Sequence, residues 1–174
     1  VESFQNIDLL FVYHPSDITD KTEYAIEQFI LGGGKTVIFV DPFFEKNDHS
    51  NKTSDLANIL KTLNINYNSN IILDGAQATR LQTQQNISDN TSLQTILKLN
   101  WPEVRGQFIN QSEEIGNGLS LIRLVSAGGL APLNEESEIS YIPLISSSEV
   151  TMDLPMREVH DPIKLINNFK PTGI

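Results

Sequence analysis

Residues 7–42 read IDLLFVYHPSDITDKTEYAIEQFILGGGKTVIFVDP, and three segments separate at once. Ile7 to Tyr13 is an unbroken apolar run closed by His14-Pro15. A run without polar alternation predicts a strand buried on both faces, the kind found in parallel sheets sandwiched by helices. Asp20 then supplies a helix cap with Glu23 three residues on, and Ala25, Ile26, Phe29 and Ile30 recur as one apolar stripe. Gly32-Gly33-Gly34 ends that helix, because glycine enters the left-handed region without a Cβ penalty. Lys35 to Val40 forms a second strand of the first kind, stopped by Asp41-Pro42. Strand, helix and strand in this order predict a βαβ unit with the two strands adjacent and parallel.

Outward from this unit the signals weaken. Phe43 to Thr53 reads as a polar loop. Leu56, Ile59, Leu60 and Leu63 then fall at helical spacing behind a Thr53 or Ser54 cap. Ile71 to Leu73 predicts a third strand ended by Asp74-Gly75. Ala76 to Ser92, rich in Gln, Asn, Ser and Thr, reads as a long surface excursion. Leu93 to Trp101, Leu119 to Val125 and Ile139 to Ile145 carry short strand-like stretches, and Pro162 to Phe169 suits a closing helix. No repeat and no dividing linker is visible in the 174 residues, a length that suits one domain with a sizeable core.

Charge narrows the partners. Asp and Glu outnumber Lys and Arg by 22 to 12, for a net charge of −10. Such a surface repels phosphate backbones and anionic membrane surfaces, so nucleic acid is excluded as a partner class. With no cysteine there is no disulfide, thiolate site or Cys nucleophile. No apolar run reaches the roughly 18 residues of a membrane span.

The motifs of catalysis fail on spacing. Gly34-Lys35-Thr36 imitates the end of a phosphate-binding loop, but Phe29 stands where that loop needs glycine. The glycines also follow a helix and precede a strand, which turns the negative end of the helix dipole toward them. His14, His49 and His160 lie far apart, so helical metal-ligand spacing is absent. No G-x-S-x-G elbow exposes a serine. No catalytic residue, metal ligand or cofactor is therefore assigned. The open question is the rim at His14 and Asp41. Both close strands that are read as parallel, where open α/β sheets place ligands, and both also suit turns before proline.

Residues 7–42 resemble the signature of the ABC-transporter auxiliary family that includes gliding-motility GldG. In that family a strand closing on His-Pro leads into a helix ending in Gly-Gly and a strand closing on Asp-Pro. Glu27-Gln28 stands where the family usually has Asp-Gln. Ser54 to Leu63, Trp101, Ala127 to Leu130 and Ile142 to Ser148 are similar to later family segments. The resemblance implies a flavodoxin-like, class I glutamine-amidotransferase-like three-layer sandwich with a mainly parallel central sheet. It implies one extracytoplasmic α/β domain over residues 1–174, a fragment of a longer membrane-anchored protein, and the start at Val1 so close to a strand-like run predicts at least one strand upstream. It also implies a periplasmic, non-enzymatic auxiliary whose partners are an ABC permease and ATPase or other envelope proteins, and whose membrane contact runs only through segments outside this sequence. An enzyme of amidotransferase-like fold, with a divergent site near His14 and Asp41, is the alternative.

Overall fold

The computed structural model describes residues 3–42, 56–87, 90–159 and 161–173. The chain divides into two compact units. One comprises Val1–Ser69 with Leu130–Ser140, the other Asn70–Gly129 with Tyr141–Ile174.

The first unit is built on the expected βαβ element. Strands β1 (Leu9–Tyr13) and β2 (Lys35–Phe39) pair in parallel, with Phe11 beside Val37 and Tyr13 beside Phe39. Between them runs α1 (Asp20–Leu31). Its cap is Thr19, one residue before the expected Asp20, with Oγ1 accepting from the Thr22 N–H at 3.3 Å. Asp20 and Glu23 instead sit in the first turn, where carboxylates meet the positive end of the helix dipole. At the far end Gly33 takes φ +86°, and a Cβ on Gly34 would run into the Phe29 ring, so the triple glycine is a steric requirement of the turn. Helix α2 (Ala57–Thr62) and strand β3 (Ile65–Asn68) follow. The Thr53 or Ser54 cap and the Phe43 to Thr53 loop lie outside the described residues. Val12, Ile26, Leu56, Ile59 and Leu60 form this unit's core, with Leu10, Ile30, Ile38 and Tyr67 packed on it.

The second unit holds β4 (Ile71–Asp74), β5 (Ala78–Ile87), β6 (Asn90–Arg105), β7 (Leu121–Arg123), β9 (Thr151–Leu154) and helix α3 (Pro162–Asn168), while β8 (Gly129–Pro132) pairs with β3. Strands β4 and β9 are antiparallel, as are β5 with β6 and β6 with β7. Ile71, Leu73, Leu99, Val159 and Leu165 make the core.

This overturns the expected flavodoxin-like, amidotransferase-like three-layer sandwich. The described strands form sheets of two or three strands, mostly antiparallel, and the one βαβ crossover is not repeated. A three-layer sandwich needs a helix after each strand, whereas here the strand-like runs after Asn70 connect strand to strand. Two local expectations change with it. Ala76 to Ser92 is largely strand β5 and the start of β6, and Ile139 to Ile145 contributes only a single bridge from Ile145 to Ile109.

The parallel pair departs from expectation too, because large apolar side chains on one of its faces are exposed. Leu10, Val12 and Ile38 face the core, while Leu9, Phe11, Tyr13 and Phe39 lie on the other face, at 44, 62, 77 and 47% exposure. An apolar run without polar alternation cannot tell a strand buried on both faces from one whose second face is apolar and open.

Candidate functional site

His14 follows the last residue of β1. Its backbone N–H donates to the Phe39 carbonyl at 2.9 Å, which extends the β1–β2 ladder by one bond. Its φ of +37° is unusual for a residue with a Cβ, a conformation that costs on the order of 1 kcal/mol. The turn swings the imidazole into the protein, where Nδ1 lies 3.5 Å from Oδ2 of Asp41. Asp41 itself is half-exposed, two residues beyond the end of β2. The structure thus brings the two rim residues together.

Sequence reading missed the third member of this cluster, Tyr67 in β3. Its hydroxyl is buried and has no hydrogen-bond partner among the described residues. Burial, and secondarily the nearby Asp41 carboxylate, push the phenol above the ordinary tyrosine range. Tyr67 comes from β3, a strand that no periodic signal announced. The hydrophobic pattern INYN alternates for only four residues.

Chemically, His14, Asp41 and Tyr67 offer an imidazole–carboxylate pair and a phenol held in its neutral form. The imidazole is closed off from solvent, so a substrate has no direct route to it. Two cavities lie elsewhere. One of about 490 Å³ is lined by residues 106–112 and 143–146, and one of about 220 Å³ by Asp20, Glu23, Tyr24, Glu27, Asn58 and Ile59. Neither is lined by His14, Asp41 or Tyr67. No group of three or more His, Asp or Glu side chains among the described residues is arranged to hold a metal ion. His49 and His160 fall outside those residues.

The second polar centre, also unforeseen, is Asp74 at the end of β4. Its Oδ1 accepts from the backbone N–H of Ala76 and Gln77 and from Ser148 Oγ, at 3.0, 2.9 and 2.7 Å. Its Oδ2 accepts from Gln77 Nε2 and the Ser148 N–H, at 2.9 and 2.8 Å. All the acceptor capacity is spent inside the fold, so this carboxylate pins the 148 loop to β4 and leaves little for a ligand.

The feature with surplus capacity is the open face of β1–β2. Tyr13 and Phe39 rings stand 5.6 Å apart on it, and Lys35 is its one charged member. Apolar side chains contiguous across two paired strands are what a docking surface presents.

The first unit thus presents exposed apolar side chains on one face of its parallel pair and a polar cluster whose imidazole is shielded from solvent. Against known families, the model of an ABC-type uncharacterized transport system, an auxiliary component, matches residues 1–172, and the chain belongs to that family. No curated protein and no solved structure matches it.

Proposed function

We propose that this domain is a non-enzymatic auxiliary of an ABC transport system of the gliding-motility type, and that it works by docking to the permease, the ATPase or another envelope protein. In this reading it stands on the extracytoplasmic side of the membrane. No described helix is long and apolar enough to cross a bilayer. The observation that carries the reading is the uncovered face of β1–β2. Four large apolar side chains in contact with water are unfavourable by about 25 cal/mol per Å² unless something covers them. Membership of a transport-auxiliary family supplies the direction. The shielded His14 imidazole and the self-satisfied Asp74 favour contact over turnover.

The test is chemical crosslinking in native envelopes followed by affinity capture of the full-length protein. Recovery of the ABC permease or ATPase is expected. Enzymatic turnover lost in His14→Ala or Asp41→Ala, with no transporter component recovered, would reverse the reading in favour of an enzyme.

A further inference from the structure

We infer that the open face of β1–β2 is the seat of a single amphipathic helix of about three turns, contributed by another protein and running antiparallel to the two strands. This rests on the docking reading above and specifies what docks.

Parallel strands are found with helices on both faces. Here α1 and α2 cover one face through Ile26, Ile30, Ile59 and Leu60, and no described helix covers the other, where Leu9, Phe11, Tyr13 and Phe39 are exposed. Each strand has one neighbour among the described strands, so the described sheet is two strands wide. At about 4.8 Å between strands, that width matches one helix of about 10 Å diameter, not two. Five strand residues span roughly 16 Å, the length of about 11 helical residues. Leu9, Phe11 and Tyr13 beside Val37 and Phe39 form two apolar rows, which match the i, i+3/i+4, i+7 stripe of such a helix.

Charge fixes the direction and the kind of partner. Lys35 shares this face with Leu9 at the N-terminal end of the strands, whereas Asp8 has the opposite parity. The half-exposed Asp41 stands at the C-terminal end. A helix antiparallel to the strands sets its negative C-terminus near Lys35, which is favourable, and its positive N-terminus toward the strand end where Asp41 already contacts His14. The net charge of −10 selects a partner whose flanks are neutral or basic. It also counts against a second copy. Among the described helices, the apolar stripes of α1 and α2 are already spent in the core, and α3 has only seven residues.

The experiment places a photoreactive benzoyl-phenylalanine at Phe11 or Tyr13 of the full-length protein in its native envelope. After irradiation, the expected adduct joins another protein, and the mapped peptide is an amphipathic helix with a basic or neutral flank. An adduct within the same chain, with a second copy, with a non-helical segment, or no adduct at all overturns the inference. Capture of a transporter subunit through a different surface would sustain the docking reading and sink this one. A parallel measurement uses fluorescence anisotropy with a fourteen-residue Leu/Ala helical peptide carrying lysines on its polar face, and a twin carrying glutamates. The lysine peptide should bind at least tenfold tighter than the twin. The same peptide should lose at least tenfold against Phe11→Gln/Tyr13→Gln, a variant of unchanged charge at exposed positions. Equal binding in either comparison refutes the assignment.

Discussion

Replacing Asp74 by alanine tests how much of the second unit hangs on one carboxylate. The substitution strands five donors, of which the Ala76 N–H is near water and Ser148 Oγ can rotate. Three remain inside, namely the Gln77 N–H, Gln77 Nε2 and the Ser148 N–H. At about 1–3 kcal/mol for each buried unsatisfied donor, with some recovered by water entering the space, the loss is about 3–6 kcal/mol. That is a large part of the 5–15 kcal/mol typical of a domain. Asp74→Asn should cost less, about 1–3 kcal/mol. Its oxygen keeps the Oδ1 partners, and its new amide can donate to Gln77 Oε1, a buried acceptor with no partner among the described residues, once that side chain turns over. Urea unfolding followed through Trp101, the sole tryptophan and part of the same unit, reads both variants. An unfolding free energy for Asp74→Ala within about 1 kcal/mol of the parent, or Asp74→Asn below Asp74→Ala, would refute the reasoning.

Two further predictions concern the first unit. Tyr67 holds its proton more tightly when folded than the ordinary value of 10.0, so its contribution is complete below pH 10 and declines as pH rises beyond it. Tyr67→Phe should be neutral or mildly stabilising at pH 7, since the lost hydroxyl has no partner among the described residues, and should remove part of the alkaline decline. Circular dichroism melts between about pH 8 and 11 check this, and an unchanged alkaline slope contradicts it. Gly34→Ala drives a methyl group into the Phe29 ring and should cost about 1–3 kcal/mol. In a double-mutant cycle, Phe29→Leu should relieve most of that cost, whereas additive losses would show that the ring is not the obstacle.

What was readable from sequence follows from how local each signal is. The βαβ element was legible because caps, glycines and apolar runs all lie within 36 consecutive residues and reinforce one another. Helix α3 was legible for the same reason, with Asp161 accepting from Ile163 and Lys164 ahead of Pro162. Strand β5 was not. Its half-buried side carries Thr79, Leu81 and Thr83, so hydroxyls occupy positions where periodicity looks for aliphatics. The architecture was misjudged because partner choice is nonlocal. Nothing near Ile71 announces that it will lie opposite Leu154. At the candidate site, His14 and Asp41 were found because prolines mark the ends of their strands. Tyr67 and Ser148 are defined only by what the fold brings to them.

The pairing of β4 with β9 also sets a timetable for synthesis. Ile71 lies across from Leu154, and the core around Ile71 and Leu73 is completed by Val159 and Leu165. At about 5–20 residues per second, the ribosome takes roughly 4–16 s to make the intervening stretch. Throughout that interval β4 is a nascent strand without its β9 partner. A chaperone that holds emerging chains would find Ile71 and Leu73 accessible over that interval and buried afterwards, so codon choice after β4 becomes a lever on the yield of folded protein.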